Sequence, residues 1–372
     1  MRQLITCVLL LTLTCLPALA QTAPTPDPDN PAGLADGVTR ALRLEPSAQN
    51  KRNSEGDFIQ LKDGSILLGY SHYLGQSGGD HGSAYLAGRI SHDHGQTWSD
   101  TDTTLVAKTD ADVNLMEVSF LRLTEDRIAL LYLRKYRGEG NKMFSNIYVR
   151  FSDDEAQTWS DPVEVIADNT NYNVINNDRL VRLSSGRLVI PVAVNNSAVC
   201  YFSDDDGLTW RRNTGGPLIA HLNNGNRMAV QEPGVVELTD GRVLLWVRTN
   251  AGFQYFAHSD DDCETFTDLA PSTLRSPLSP ASIERIPSTG DLLCLWNDSP
   301  TRKRTPFTAA ISCDDGATWE NTRPLESRAN GWFCYTAIDF VGDEVLLAHC
   351  AGGGLAVLQV TRFEVEWLYE EE

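Results

Sequence analysis

SHDHGQTW from Ser91, SDDEAQTW from Ser152, SDDDGLTW from Ser203, SDDDCETF from Ser259 and SCDDGATW from Ser312 are five copies of one motif. The consensus is S-x-D-x-G-x-T-W, and successive starts lie 61, 51, 56 and 53 residues apart. Intervals of this size with one hairpin signal each predict small sheets arrayed around an axis, an all-β propeller. The motif reads as a turn: its Asp accepts backbone N–H bonds, its Gly tolerates positive φ, and its Trp packs between neighbouring sheets. Ala156 and Cys263 stand where the Gly is expected, and Phe266 where the Trp is. Such a turn is structural, and its carboxylates are not catalytic candidates.

A second unit precedes each box: an apolar strand, a turn pair and another apolar strand. The copies are GDFIQLKDGSILLGY, VSFLRLTEDRIALLYL, DRLVRLSSGRLVIPVAV, PGVVELTDGRVLLWVR, ASIERIPSTGDLLCLW and YTAIDFVGDEVLLAHC. Each is a hairpin signal, and six of them predict a six-bladed β-propeller with about four strands per blade. Which terminal strand closes the ring does not follow from the pattern. Inner strands of a propeller start at one rim of the channel, so the residues before each hairpin share a mouth. Those are Arg52 to Asp57, Asn114 to Glu117, Asn176 to Arg179, Gln231 and Glu232, Ser279, and Cys334 and Tyr335. This rim is rich in charge and amide groups, which is costly unless it is solvated or functional.

The first twenty residues read as a secretory signal, with Arg2, the apolar stretch Leu4 to Leu16 and Ala18-Leu19-Ala20 before Gln21. Residues 21–36 read as a disordered Pro-rich leader and 37–372 as the propeller. The mature chain is therefore expected to be secreted or periplasmic. No stretch approaches the roughly 20 apolar residues of a membrane helix. The net charge of −19 argues against nucleic acid and anionic membranes as partners. It also repels an acidic substrate, so a local arginine cluster would have to attract one. Six cysteines follow the signal, without a CxxC pair; Cys334 and Cys350 flank one hairpin and are candidates for a disulfide, buried free thiols being the alternative.

These features together resemble the sialidase superfamily, secreted six-bladed propellers whose repeated boxes lie opposite the site; the similarity runs from about Arg52 to Leu368. The resemblance implies a catalytic set, one position at a time. QEPGVVELTDGRVLLWVR supplies Glu232 and a substrate-binding Arg248. RTPFTAAISCDDG supplies a second binding residue, Arg304. GWFCYTAIDFVGDEVLLAH gives Tyr335 as nucleophile, and SGGDHGS gives Asp80 as acid/base. Guanidinium groups would grip a substrate carboxylate through bidentate bonds. A Tyr nucleophile adds no negative charge beside that carboxylate, and Glu232 would take its proton as attack proceeds. The first arginine of the family's triad departs from pattern: KRNSEGDF replaces an Arg-Ile-Pro motif, leaving Arg52 as the candidate and Arg179 as its rival. Glu55, Glu117 and Asp178 add negative charge, suited to glycerol-like hydroxyls, an amide or a different sugar.

The implied activity is exo-acting hydrolysis that releases a terminal sialic acid or related 2-keto acidic sugar from a glycan, with retention and without a cofactor. A uronate-type lyase, another glycosidase, and a non-catalytic glycan- or protein-binding propeller remain open on the same scaffold. Each site residue also has a plainer role: Glu232 could bond its own blade, Tyr335 could be a core aromatic, and Arg304 could be part of a solvated loop. His72, His81, His92 and His94 match no metal-ligand spacing, though His81 adjoins Asp80.

Overall fold

The computed structural model describes residues 33–124, 126–167, 169–352 and 357–370. The expected signal segment, 1–20, and the leader up to residue 32 lie outside the described residues. Residues just before position 37 pack on the sheets: Leu34 bridges Glu326, and the Ala35 N–H donates to the Leu325 carbonyl at 3.0 Å.

The described residues form antiparallel meanders, as the alternation of apolar runs and Gly-containing turns dictates. Strand pairing yields five sheets, however, rather than six separate ones. Four stand alone: a five-stranded sheet over residues 173–212, and four-stranded sheets over 230–275, over 282–326, and over 332–364 with Thr39–Leu44. The fifth is a single eight-stranded sheet spanning residues 53–164. Its two antiparallel halves are joined by one parallel pairing, Ala84 with Asn114. One rung of backbone contact at the mouth is enough to fuse sheets whose remaining strands pair only within their own half. Ring closure, which the sequence left open, falls to the N-terminal strand: Thr39–Leu44 pairs with Leu358–Glu364 as the outermost strand of the last sheet.

The core is distributed around the ring. Leu131, Ile147 and Val149 pack on Ile175, Ile190 and Val199, and Ile286, Leu295 and Phe307 pack on Phe333, Ile338 and Phe363. Within the eight-stranded sheet, Leu67, Leu86 and Leu105 likewise pack face to face on Leu115, Phe120 and Leu130.

All five boxes close in the same way. In the first, the Asp93 carboxylate accepts the Thr97 N–H at 2.8 Å and the Thr97 hydroxyl at 2.6 Å, while Ser91 Oγ accepts the Gly95 N–H at 2.8 Å. The Thr97 bonds, outweighing slight burial, hold the Asp93 carboxyl down at about 2. The fifth position of each box is left-handed, with or without Gly: φ is 81° at Gly95, 63° at Ala156 and 70° at Cys263. The boxes follow the outward run of each inner strand. Gln60 pairs with Ile66, which pairs with Ser91, so the first box lies about 15 Å along the strand from Glu55.

Two stability predictions follow from these details. Ala156→Gly relieves a left-handed alanine and should stabilise the fold by about 0.5–1 kcal/mol in urea unfolding. His349 is fully buried, its Nε2 2.9 Å from Thr361 Oγ1, and burial depresses it from 6.5 to about 3. It therefore contributes stability above its unfolded value that is lost as pH falls toward 3, at up to about 1.4 kcal/mol per pH unit. Urea midpoints at pH 5 and 7 should differ less in His349→Gln than in the parent.

Candidate active site

Four inner strands carry the same defect near their starts. In each, two residues oppose one of the partner strand: between Ser54 and Asp57, Met116 and Ser119, Gln231 and Gly234, and Cys334 and Ala337. The first residue after the last pair is left-handed in every case: Glu55 (φ 52°), Glu117 (61°), Glu232 (45°) and Tyr335 (56°). Asp178, between the two short inner strands of the 173–212 sheet, has φ 56°. A bulge of this kind re-aims one side chain out of the alternation that would otherwise bury it between sheets. Gly234 is required just beyond one of them, since a Cβ there would meet the Trp246 ring at 2.1 Å.

Glu232, Tyr335, Arg248 and Arg304 converge. Glu232 Oε1 accepts from Arg248 Nη1 at 2.5 Å, and the Tyr335 hydroxyl lies 3.5 Å from the same oxygen. The Arg304 guanidinium stands 5.6 Å from the Tyr335 ring centroid and 4.7 Å from that of Trp332, and Arg304 Nη2 donates to the Leu278 carbonyl at 3.1 Å. Burial, then the Glu232 carboxylate, push the Tyr335 phenol well above its ordinary value, against the pull of Arg304 and Arg248. Loss of the phenolic proton would thus require an acceptor in contact, and Glu232 is in that position. Arg248 Nε, Arg304 Nη1 and Glu232 Oε2 are buried atoms without a hydrogen-bond partner among the described residues. Unmatched guanidinium N–H groups are expensive in a protein interior, and an anionic ligand would satisfy them.

Arg52 is differently occupied. Its Nε donates to Ser54 Oγ at 2.7 Å, its Nη1 to Asp80 Oδ1 at 2.7 Å and the Gly78 carbonyl at 3.4 Å, and its Nη2 to Glu55. The side chain is 1% exposed and stacks 4.8 Å from the Tyr73 ring centroid. It holds two acids in place and has little left to offer a ligand. Partial burial would raise the Asp80 carboxyl, but Arg52 and then Lys135 outweigh it and hold it below the usual carboxylate range. The loop carrying Asp80 is anchored at its backbone: Asn114 Nδ2 and Lys135 Nζ donate to the Asp80 carbonyl at 2.8 and 3.0 Å. His81 Nε2 lies 3.4 Å from the Tyr172 hydroxyl. Among the described residues no cluster of metal-ligating side chains occurs.

With the geometry in hand, the relatives are informative. A family model for the BNR repeat-like domain matches residues 77–346, well over half the chain. The chain belongs to the BNR repeat-like domain family. Within it, the fold is that of the sialidase-like superfamily. A sialidase from Micromonospora viridifaciens is 29% identical over 169 residues, 41% of this chain and only 25% of that protein. A Hadza microbial sialidase superposes with a TM-score of 0.71 at 20% identity, over 85% of this chain and 66% of the other. A crystal structure of a protein of unknown function from Dyadobacter fermentans matches at a TM-score of 0.70 and 19% identity, over 89% and 100% of the two chains. At these identities the structural likeness speaks for the fold.

Two residues expected in this BNR-family pocket lie elsewhere. Arg179, the rival for the first arginine, donates to the Asp178 and Ala281 carbonyls at 2.7 and 2.8 Å and lies 5.4 Å from the Trp246 ring centroid. It is a strut between sheets. Asp178 is likewise structural, accepting the Ile338 N–H at 3.1 Å; both residues line a cavity of about 590 Å³ that runs toward the box face with Glu237 and Arg285. Glu117 does belong to the mouth, buried, with Oε2 unmatched. Burial, then Glu55 and Glu232, push its carboxyl well above the usual range. Sequence reasoning missed Lys135 and Trp332, and placed Asn177 in the rim without assigning it a role. Lys135 was visible as a cation inside the apolar run IALLYLRKYR, and Trp332 as the aromatic three residues before Tyr335.

Asn177 crosses the axis. Its Nδ2 donates to the Gly56 carbonyl at 2.7 Å and to the Tyr335 carbonyl at 3.2 Å, tying two bulges to a third sheet. Asn177→Ala would leave two buried carbonyls unmatched and should cost about 2 kcal/mol of unfolding free energy in urea titration.

Proposed function

We propose that this chain is a retaining exo-glycosidase that removes a terminal sialic acid or related 2-keto acidic sugar from glycans. We count the eight-stranded sheet as two blades joined at Ala84 and Asn114, which makes the ring six-bladed, and read residues 1–20 as an export signal. The observation that carries the proposal is the shared oxygen of Glu232, bonded to Arg248 and 3.5 Å from the Tyr335 hydroxyl, beside unmatched N–H groups of Arg248 and Arg304. Those N–H groups are suited to a substrate carboxylate. Tyr335 Oη attacks the anomeric carbon while Glu232 accepts its proton; the 3.5 Å separation is long for an O–H···O bond and would close on substrate binding. Asp80 gives a proton to the leaving oxygen. It is then the carboxylate that activates water against the tyrosyl–sugar bond. Its ionised ground state beside Arg52 suits the second step, and uptake of a proton is required before the first. The relatives named as sialidases, and a leech trans-sialidase in complex with 2,7-anhydro-Neu5Ac that superposes with a TM-score of 0.69 at 13% identity over 89% of this chain and 70% of the other, support the choice of sugar.

The saturation of Arg52 favours a second reading on the same machinery, in which the sugar is another acid. Only Arg248 and Arg304 then face its carboxylate, and Glu55 and Glu117 meet its hydroxyl or amide groups. A fluorogenic sialoside assayed with product anomers followed by NMR separates the two. Tyr335→Phe should lower turnover by at least about a thousandfold while the unfolding midpoint stays close to that of the parent. Retained turnover in that variant would dismiss the nucleophile assignment.

A further inference from the structure

Cys334 and Cys350 are direct partners across the ladder of strands Trp332–Val341 and Glu344–Gly352, one rung ahead of the bulge that aims Tyr335. In the 230–275 sheet the same rung holds Gln231 and Arg248, whose guanidinium reaches the pocket, so the two cysteines sit at the pocket floor. Direct antiparallel partners lie about 4.5–5.5 Å apart at Cα with side chains on one face, inside the window of about 4.4–6.8 Å that a disulfide spans. Both thiols are buried, at 3% and 0% exposure, in a paired ladder that holds them opposite each other.

We propose that Cys334 and Cys350, free thiols in this structure, form an oxidation site that closes as a cross-strand disulfide and locks the strand carrying Tyr335. The oxidant is a small disulfide such as oxidised glutathione, which enters through the pocket whose floor the two cysteines form. Cys334 thiolate attacks one sulfur of that disulfide, forming a mixed disulfide and expelling one thiolate, which takes up the proton Cys334 lost. Cys350 then loses its proton and attacks the Cys334 sulfur, expelling the second thiolate; two cysteines are oxidised and one disulfide is reduced to two thiols. The order of attack is set by surroundings. Burial alone would raise the Cys334 thiol, but the Cys350 thiol and the Arg304 guanidinium outweigh it and hold it below the usual range, while burial and Cys334 push Cys350 well above.

The proposal is independent of the hydrolase reading, and its test needs no substrate. The folded full chain is incubated with oxidised glutathione, then unfolded, alkylated, digested without reductant and mapped by mass spectrometry. A peptide pair linked through Cys334 and Cys350 is expected, lost on reduction, while exposed Cys313 stays outside the link. In Cys350→Ser the second step is blocked, and Cys334 should retain glutathione as a mass increase on its own peptide. Recovery of Cys334 and Cys350 as separately alkylated thiols from the treated parent, or a link from Cys334 to any other cysteine, overturns the proposal.

Discussion

A side chain on a regular inner strand reaches the axis where a bulge sets two of its residues against one of the partner strand. Regular alternation sends side chains into the two neighbouring sheets, where apolar groups belong. The left-handed bulge breaks that alternation once in each of four inner strands, and Glu55, Glu117, Glu232 and Tyr335 are delivered by it. None of the four is a glycine, so each carries a conformational cost of order 1 kcal/mol or more. Persistence of such a cost at equivalent positions in several sheets needs compensation, and the compensation is visible in the bonds around each bulge.

Those bonds form a polar hub across the ring. Asn177 reaches the carbonyls of Gly56 and Tyr335, Ser282 Oγ donates to the Thr336 carbonyl at 2.6 Å, and Ser119 Oγ accepts the N–H groups of Arg179 and Leu180 at 2.9 Å. Asp57 accepts the Phe120 N–H at 2.6 Å, from the next inner strand. Backbone groups left unpaired by the bulges thus find side-chain partners from other sheets. The apolar clusters hold neighbouring blades together, whereas the hub fixes the rotational setting of each inner strand about the axis. That distinction explains why polar residues dominate the centre of an otherwise apolar interior.

Much of this was readable from the chain because it is local. Ser91, Asp93, Gly95 and Thr97 specify their turn through bonds within eight residues, and the hairpin pairs specify theirs within fifteen. Even the tolerance at Ala156 and Cys263 follows from a turn that Asp and Thr close without help from the Gly. The mouth could be drawn up from the same logic, since it asks only where inner strands start. What escaped were roles set by contacts between sheets that no motif marks. Arg179 and Asp178 share the rim segment of Asn177, yet a one-residue change of direction sends them to the Ala281 carbonyl and the Ile338 amide instead of the pocket. Fusion of the eight strands between residues 53 and 164 hangs on a single rung at Ala84, which no repeat pattern encodes. Lys135 escaped because its acceptor is a loop carbonyl some fifty residues away, that of Asp80.

Charge balance is the remaining constraint on what the pocket can hold. Glu55 occupies the bulge position that carries Glu232 or Tyr335 in other sheets, and Arg52 reaches it from three residues earlier along the strand. Were Arg52 free, the mouth would present three guanidinium groups to a ligand; with Glu55 and Asp80 already upon it, two remain, and Arg248 is itself shared with Glu232. Glu117 adds a carboxyl that burial, then Glu55 and Glu232, push well above the usual range. An acid bound here would be held by fewer charges and more hydroxyl contacts than three arginines supply. On a chain of net charge −19, that shifts recognition from long-range attraction toward short-range fit, because the field outside the mouth opposes the approach of any anion. Selectivity would then reside in the buried acids as much as in the arginines.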